Sequence, residues 1–503
     1  LYGRENEINA LLQAFARVSL GTAEMILIAG YSGVGKTAIV NEVHKPMTEK
    51  RGYFATGKFD QYQRNIPYSA LTQAFNEFCN YLLTESTEKL KYWQEKILSA
   101  VGNNGQILIE VIPNLELIIG KQSVAAQVGT TEAQNRFNLV FENFFHTIGQ
   151  QNHPLVLFID DLQWADSASL NLLKRLMTDT NDKYFLIIGA YRDNEIDSTH
   201  PLIDLQAANT IKVQNLLFTD VKHLITDTIK STDIEQLTNL IYVKTQGNAF
   251  FTHEFLKSLY DEELLTFNVK QWQWDIAKIA TKDMTDNVIE LMVNKIEKLP
   301  VDTIEILKLA ACIGNKFNLK TLSTIYQHSH SETLTCLWKA IEENLVLPLD
   351  EDYRQSTAYF KFQHDRIQQA AYSLIGDLQK SQLHLQIGRL LLNNPEQIFE
   401  IADHLNLGIQ LINSQIERNE VARLNLQAGK KALTATAYEA AANYLQMGIT
   451  LLDEKSWHQH YELTLNLYIK GAETAYLNGN FKLMDKLAQT VLDHAQNLLD
   501  KVS

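Results

Sequence analysis

The 503-residue sequence has few cysteines and no long apolar run. Its three cysteines, Cys79, Cys312 and Cys336, are far apart and have neither a zinc-binding nor a disulfide spacing, which favours core positions in a reducing compartment. No run of about 18 apolar residues is present, and no signal-peptide pattern opens the sequence. We therefore predict a cytoplasmic protein that does not span a membrane.

The sequence also has fewer basic than acidic residues: 45 Lys and Arg and 59 Asp and Glu give a net charge of −14. This balance argues against a broad surface for nucleic acid or anionic membrane. The signatures of a protein kinase, namely HRD-x₄-N, DFG and a glycine-rich loop followed by VAIK, are missing as well. The sequence starts at Leu1 within a motif and stops within a helical pattern, so we expect it to be part of a longer protein.

The stretch IAGYSGVGKTAIV, residues 28–40, has the spacing of a P-loop between an apolar strand and a helix. Its glycines let backbone N–H groups point at phosphate oxygens, and the helix N-terminus adds positive potential. Lys36 is expected to contact the β- and γ-phosphates, and the Thr37 hydroxyl to bind Mg²⁺. The predicted nucleotide-binding residues of this loop are Gly30, Ser32, Gly33, Val34, Gly35, Lys36, Thr37 and Ala38.

Two further apolar runs end in charged residues. PLVLFIDDLQWAD, residues 154–166, predicts a buried strand next to the P-loop strand, with Asp160 holding Mg²⁺ through water. Asp161 either polarises the attacking water or caps the following helix. The third strand, in KYFLIIGAYRDNE, ends at Arg192, which either senses the γ-phosphate or forms a surface salt bridge. We count Lys36, Asp161 and Arg192 as candidate catalytic residues.

Several motifs carry a family resemblance. YGRENEI, FIDDLQWAD, GAYRDNE and QGNAFF resemble the STAND class of signal-transduction P-loop ATPases, which are relatives of AAA+ proteins. GKFDQYQRNIPYSALTQAF, PNLELIIG and FQHDRIQQAAYSLI resemble the ATPase region of large bacterial multidomain signalling kinases. In those kinases a serine/threonine kinase domain precedes this region, and a GAF sensor and a histidine kinase follow it. The resemblance implies flanking signalling domains of this kind.

The resemblance also implies further nucleotide contacts. It places Gly3, Arg4 and Glu5 near the adenine. The family's GNPFF motif carries a proline that packs on the base, but Ala249 stands in its place here, which puts that contact in doubt. His364 resembles a histidine that touches the ADP β-phosphate and holds a closed state. The residues alone equally allow a helix capped by Asp365 beside a buried histidine.

The pattern along the chain predicts four regions. They are an α/β P-loop ATPase core with a parallel sheet at residues 1–215, a helical lid at 216–285, a winged-helix-like domain at 286–380 and tetratricopeptide-like helical repeats at 381–503. Residues 80–134 form a helical excursion within the core. The third winged-helix helix, Ser331 to Asn344, carries one lysine and three glutamates and does not suit DNA. Gly429 aligns with Gly471 and Tyr438 with Phe481, as in repeats or in a simple helix bundle.

Two functions fit these predictions. The first is a signalling switch that binds ATP or ADP with Mg²⁺, hydrolyses ATP slowly and regulates output domains outside this chain. A protein partner would bind the concave face of the repeats, and an oligomer that depends on nucleotide is compatible with this function. The second is an ATP-dependent transcription regulator of the maltose-regulator type, in which the winged helix or a missing domain binds DNA.

Overall fold

The structure is a computed structural model that describes residues 1–49, 52–126, 128–178, 183–205, 209–231, 234–268, 271–281 and 288–502. The chain divides into two units, and neither is continuous in sequence. The first comprises Leu1–Phe59, Tyr68–Ala165 and Ser169–Val288, and the second comprises Asp60–Pro67, Asp166–Ala168 and Ile289–Ser503. The predicted boundary at residues 285 and 286 lies outside the described residues, and the boundary at 380 lies inside a helix.

The first unit is built on a five-stranded sheet in which all paired strands are parallel. The strands are β1 (Ala23–Ala29), β2 (Tyr53–Lys58), β3 (Leu155–Asp160), β4 (Phe185–Tyr191) and β5 (Asn209–Lys212), in the order β2-β3-β4-β1-β5. Every residue of β3 and β4 is buried, as expected of central strands with both faces covered. The predicted parallel α/β sheet is therefore confirmed.

One detail of the predicted sheet is wrong. We expected the strand of Asp160 to lie next to the P-loop strand, but β4 lies between β1 and β3. A P-loop can still reach an acidic residue across one strand, because adjacent strands are only about 5 Å apart and all carboxyl ends lie at the same edge. This order also brings the end of β4, and with it Arg192, to the centre of that edge.

Within the described parts of the first unit, eight α-helices accompany this sheet. They are α1 (Glu5–Val18), α2 (Lys36–Glu49), α3 (Ser69–Leu83), α4 (Thr87–Val101), α5 (Gly105–Val111), α6 (Glu116–Ile119), α7 (Thr130–Ile148) and α8 (Ser167–Leu176). Apolar side chains of α1 and α2, such as Phe15 and Val40, are buried against Ile28 of β1 and Ile188 of β4. The predicted helical excursion contains α4, α5 and α6.

The helical end of the first unit has an apolar core of its own. It consists of α9 (Phe218–Ile229), α10 (Glu235–Thr245), α11 (Ala249–Asp261), the antiparallel hairpin of β6 (Leu265–Asn268) and β7 (Gln271–Trp274), and α12 (Ile276–Thr281). Val221, Ile241 and Phe255 are among the buried residues of this core. The sequence pattern predicted these helices but not the hairpin.

The second unit begins with helices around a small antiparallel sheet. Helix α13 (Val288–Ile296) leads into α14 (Val301–Ile313), β8 (Lys316–Asn318), α15 (Leu319–Tyr326), α16 (His330–Glu342), β9 (Val346–Pro348), β10 (Tyr359–Phe362) and α17 (Asp365–Ser373). The sheet order is β8-β10-β9. Three helices followed by two strands is the predicted order, and β8 is an additional strand that the sequence pattern did not reveal.

The rest of the second unit is helical. It contains α18 (Asp377–Leu391), α19 (Ile398–Leu407), α20 (Gln415–Thr434), α21 (Tyr438–Thr450), α22 (Ser456–Gln459), α23 (Tyr461–Leu477), α24 (Phe481–His494) and α25 (Leu498–Val502). Among the described residues, no helix is long and apolar enough to cross a membrane.

Three helix pairs of this region share one packing contact. A Cβ atom on Gly388 would lie 2.7 Å from Leu405, one on Gly429 2.6 Å from Leu445 and one on Gly471 3.2 Å from Leu487. The glycines therefore let α18, α20 and α23 closely approach the leucine of the helix that follows in each pair. Two of these glycines were aligned from the sequence, and the structure adds a third pair, α18 and α19, to the pattern.

We predict that Gly57→Ala destabilises the first unit. A Cβ atom at this position in β2 would lie 1.9 Å from the backbone oxygen of Ala70 in α3, and a backbone atom cannot rotate away. The free energy of unfolding should fall by about 1–3 kcal/mol, measured by urea unfolding. Gly129→Ala is the control, because no atom lies within 4 Å of its added Cβ. Equal unfolding midpoints for the two variants would contradict the close approach of β2 and α3.

Candidate functional site

The P-loop lies between β1 and α2, as the sequence predicts. Gly33 and Gly35 have φ angles of 80° and 101°, which side chains with a Cβ atom rarely adopt. Helix α2 begins at Lys36, whose Nζ donates to the backbone oxygens of Gly30 at 2.7 Å and Tyr31 at 2.9 Å. The ammonium is thus held inside the loop, where phosphate oxygens can replace the two carbonyl oxygens as its hydrogen-bond acceptors.

The Thr37 hydroxyl reaches the carboxylate of Asp160. Thr37 Oγ1 donates to Asp160 Oδ2 at 2.9 Å, and Asp160 Oδ1 accepts from the backbone N–H of Asp161 at 2.9 Å. Burial raises the pKa of Asp160. A hydroxyl and a carboxylate at hydrogen-bond distance are oxygen donors of the kind that hold Mg²⁺ together with water and phosphate oxygens. These two residues fit the predicted metal site.

Asp161 is held by three neighbours. Its Oδ2 lies 2.7 Å from Lys58 Nζ, its Oδ1 accepts from Gln163 Nε2 at 2.8 Å, and Arg192 Nη2 lies 3.4 Å from Oδ1. The residue has a φ angle of 55° and precedes a short 3₁₀ turn without a capping bond from its side chain. The side chain of Asp161 therefore does not cap a helix, which was the alternative considered from the sequence.

Arg192 is buried, with 3% of its side chain exposed. Its guanidinium lies 4.8 Å from the ring centroid of Trp164, pairs with Glu195 at 2.8 Å and faces Asp161. Arg192 therefore does form salt bridges, as considered from the sequence, but its guanidinium is buried, and of these two partners only Glu195 is partly exposed. Contact of Arg192 with a γ-phosphate stays a prediction.

The N-terminal motif anchors the P-loop. Arg4 is 6% exposed, and its Nη2 donates to the backbone oxygens of Val34 at 2.9 Å and Gln214 at 2.7 Å. The φ angle of Gly3 is 62°, and a Cβ atom there would lie 2.4 Å from the Asp220 carboxylate. These contacts give both residues a structural role in holding the loop. Their contact with adenine, and that of the exposed Glu5, stays a prediction.

Asn248 links the helical end of the first unit to the P-loop. Its side chain caps α11 by accepting from the N–H groups of Phe250 and Phe251. Its Nδ2 also donates to the backbone oxygen of Ser32 at 3.0 Å, and Phe250 N donates to Gly33 O at 2.9 Å. The helical end of the first unit thus bonds directly to the P-loop. Ala249 is the first residue of α11.

Lys58 was missed entirely, although a signal was available in the sequence. It is the last residue of β2, and its Nζ lies 2.7 Å from Asp161 and 3.9 Å from Asp160. The carboxyl ends of parallel strands face the ligand, so a lysine at the end of a short strand with alternating burial could have been proposed as a site residue.

His364 belongs to the second unit. Its Nδ1 accepts from the N–H of Arg366 at 3.1 Å and lies 2.9 Å from Asp365 Oδ1. His364 is therefore the N-cap of α17, and the expected cap at Asp365 is wrong, because Asp365 is the first helical residue. That His364 touches ADP stays a prediction.

Comparison with known proteins agrees with this geometry. Residues 1–188 match the family model described as an AAA ATPase domain. The chain is 30% identical to hybrid signal transduction histidine kinase G of Dictyostelium discoideum over 627 aligned residues, which cover 99% of this chain and 18% of that protein. It is 24% identical to histidine protein kinase 1 of Candida albicans over 166 residues, covering 30% of this chain and 7% of that protein. The chain thus spans less than a fifth of these relatives.

Two solved structures align with much of this chain. A Signal Transduction ATPase with Numerous Domains (STAND) protein with a tetratricopeptide repeat sensor from Pyrococcus horikoshii has a TM-score of 0.48 and 13% identity, covering 99% of this chain and 64% of that one. The ORC1 protein of Aeropyrum pernix, solved in complex with DNA, has a TM-score of 0.34 and 11% identity, covering 74% of this chain and 93% of that one.

We predict that Lys36→Ala weakens ATP binding by about a hundredfold or more, because hydrogen bonds from a charged group to phosphate are worth about 1.5–3 kcal/mol each. Isothermal titration calorimetry with Mg-ATP measures the loss. Lys45→Ala is the matched control, because Lys45 lies on the same helix with 84% of its side chain exposed. Unchanged ATP affinity in a folded Lys36→Ala variant would refute the P-loop assignment.

Proposed function

We propose that this chain is the nucleotide-dependent switch of a larger signalling protein, and that it binds Mg-ATP and hydrolyses it slowly. The observation that carries the proposal is the hydrogen bond between Thr37 and Asp160, which joins the P-loop to the carboxylate pair at one edge of the sheet. This contact supports a single site for phosphate and metal. The AAA ATPase family match over residues 1–188 points to the same chemistry.

The proposed roles follow from the contacts. Lys36 exchanges its bonds to Gly30 and Tyr31 for the β- and γ-phosphate oxygens. Thr37 and Asp160 hold Mg²⁺, which when bound neutralises charge on the phosphates. Asp161 accepts a hydrogen bond from the attacking water and orients it for in-line attack. The P-loop residues 30 and 32–38 cradle the phosphates.

Slow hydrolysis is expected from the surroundings of Asp161. Its carboxylate already faces Lys58, Gln163 and Arg192. The positive charges of Lys58 and Arg192 make this carboxylate a weaker acceptor for a hydrogen bond from water. An enzyme whose water-orienting group is held in ion pairs is suited to a switch, because bound ATP persists until the pairs rearrange.

The signalling context is drawn from relatives. Two proteins similar to this chain are histidine kinases, and the chain covers only 18% and 7% of them. We infer that the output activity lies in flanking domains, that a protein partner binds the helical repeats and that assembly depends on nucleotide. Cytoplasmic location stays a prediction. Transcription regulation through DNA is disfavoured, because α16 and its C-cap carry Glu332, Glu342 and Glu343 against Lys339.

We predict that Asp161→Asn retains Mg-ATP binding and lowers turnover by about a hundredfold, the contribution expected of a general base. Asparagine tolerates the left-handed backbone of Asp161, so the fold should persist. Phosphate release and calorimetric ATP affinity are the two measurements. Asp193→Asn, at an exposed carboxylate on the same edge, should leave both unchanged. Turnover equal to that of the parent protein would return Asp161 to a structural role.

A second prediction tests the proposed ADP contact of His364. His364→Asn keeps an acceptor for the N–H of Arg366 but removes the imidazole, since asparagine is a good N-cap. We expect ADP affinity to fall about tenfold, as for one lost hydrogen bond to a charged group, and ATP-analogue affinity to fall less. The fraction of open or assembled protein should rise in small-angle scattering. Equal losses for both nucleotides without a change in scattering would leave His364 as a cap only.

A further inference from the structure

The second unit contains a cavity of about 240 Å³ that the proposed ATPase does not use. Its wall combines side chains of α14, α17, α18 and α19 with the segment Asp60–Pro67. The volume is enough for several water molecules or a small organic molecule, since one water occupies about 30 Å³ in the liquid. The polar wall residues are chiefly Tyr62, Tyr372, His384, Glu400, Asp403 and His404.

A chain of hydrogen bonds fixes the two histidines. The Tyr372 hydroxyl lies 2.9 Å from His384 Nε2, and His384 Nδ1 lies 2.9 Å from His404 Nδ1. Burial lowers the pKa of His384 to about 4 and that of His404 to about 3. Both rings are therefore neutral near pH 7, and one ring donates to the other. Neither histidine supplies positive charge to the cavity.

The two carboxyl groups of the cavity lie one turn apart on α19. Asp403 Oδ1 accepts from the Tyr444 hydroxyl at 3.0 Å, whereas the buried Oδ2 has no hydrogen-bond donor in ordinary geometry among the described residues. Burial raises the pKa of Asp403 to about 7 and also raises that of Glu400, although hydrogen bonding to Tyr444 and to the side chain of Asn65 lowers the pKa of Asp403 in part. The cavity therefore holds two carboxyl groups whose pKa values are raised because burial disfavours their charged forms.

The nearest basic side chains point to other partners. Lys380 on α18 lies over the Tyr372 ring and pairs with Asp377, and Lys431 on α20 lies over the Phe399 ring. Lys431 lowers the pKa of Glu400 from a distance, and Glu396 raises it. Within the described parts of the chain, no basic group forms an ion pair with Glu400 or Asp403.

We propose that this cavity binds a free small organic cation that carries an ammonium or guanidinium group. The cation would donate hydrogen bonds to Asp403 Oδ2 and to Glu400. The aromatic ring of Tyr62, whose centroid lies 4.6 Å from that of Tyr372, supplies a face that attracts a cation, whereas the Tyr372 ring already has Lys380 over it. Because Asp403 must be ionised in the complex, binding should release a proton whenever the free carboxyl group is protonated.

The test uses the whole 503-residue chain and two planar probes of similar shape, methylguanidinium and methylurea, of which only the first is charged. Isothermal titration should show saturable binding of methylguanidinium alone, with an enthalpy that depends on the ionisation enthalpy of the buffer. Affinity should be about tenfold weaker near pH 6 than near pH 8, because the ionised fraction of a group of pKa about 7 changes by that factor. Saturable binding of methylurea with equal affinity would overturn the proposal.

Asp403→Asn should weaken methylguanidinium binding at least about tenfold, since a charge-assisted hydrogen bond is lost. Glu396→Gln is the matched control, because this exposed carboxylate lies one turn before Glu400. Leu407→Trp provides a second variant, since Leu407 lines the cavity and is 51% exposed, so its replacement should block entry without disturbing the core. If Asp403→Asn and Leu407→Trp both bind like the parent protein, the cavity is not the site. No saturable binding to the parent protein refutes the proposal as well.

Discussion

Two adjacent buried carboxylates, Asp160 and Asp161, lie at the carboxyl edge of the parallel sheet, and their negative charges must be stabilised there. Charges at this depth are costly unless other elements supply hydrogen bonds or opposite charge. Thr37 of α2, Lys58 of β2 and Arg192 after β4 do so from three separate elements. The order of the strands matters for this reason, because it brings the ends of β2 and β4 to either side of β3.

The same edge also depends on parts of the chain that carry no phosphate-binding motif. Arg4 bonds to the loop at Val34, and Asn248 bonds to it at Ser32, so the P-loop is held from the N-terminal segment and from the helical end of the first unit. A rearrangement of either would alter the backbone that receives phosphate. This arrangement agrees with a protein in which nucleotide binding and conformation are linked.

The predictable parts of the structure were those with local signals. Continuous apolar runs identified β1, β3 and β4, and the glycine spacing with Lys36 and Thr37 located the P-loop. Short strands such as β6, β7 and β8 were missed, because three or four residues give too little periodicity. Strand order was not encoded locally either, so β4 was not expected between β1 and β3.

Among the site residues, Thr37 and Asp160 were each predicted to serve one Mg²⁺ site because each belongs to a recognised motif, but the direct hydrogen bond between them was not predicted. The burial of Arg192 and the contacts of Lys58 were not anticipated, since both depend on neighbours distant in sequence. His364 took the N-cap in place of Asp365 because its ring nitrogen already accepts the N–H of Arg366. Long-range packing decided the first two cases, whereas the cap at His364 is a local contact between residues two apart in sequence.

The division of the chain has a consequence for how this protein can be dissected. Residues 60–67 and 166–168 belong to the second unit although both lie within the sequence of the first. No single cut separates the two units, and a fragment that ends near residue 281 retains two segments whose packing partners have been removed. Tyr62, which packs against Tyr372, would then lose that ring contact. Exchange of consecutive gene segments would therefore separate residues 60–67 and 166–168 from the rest of the second unit.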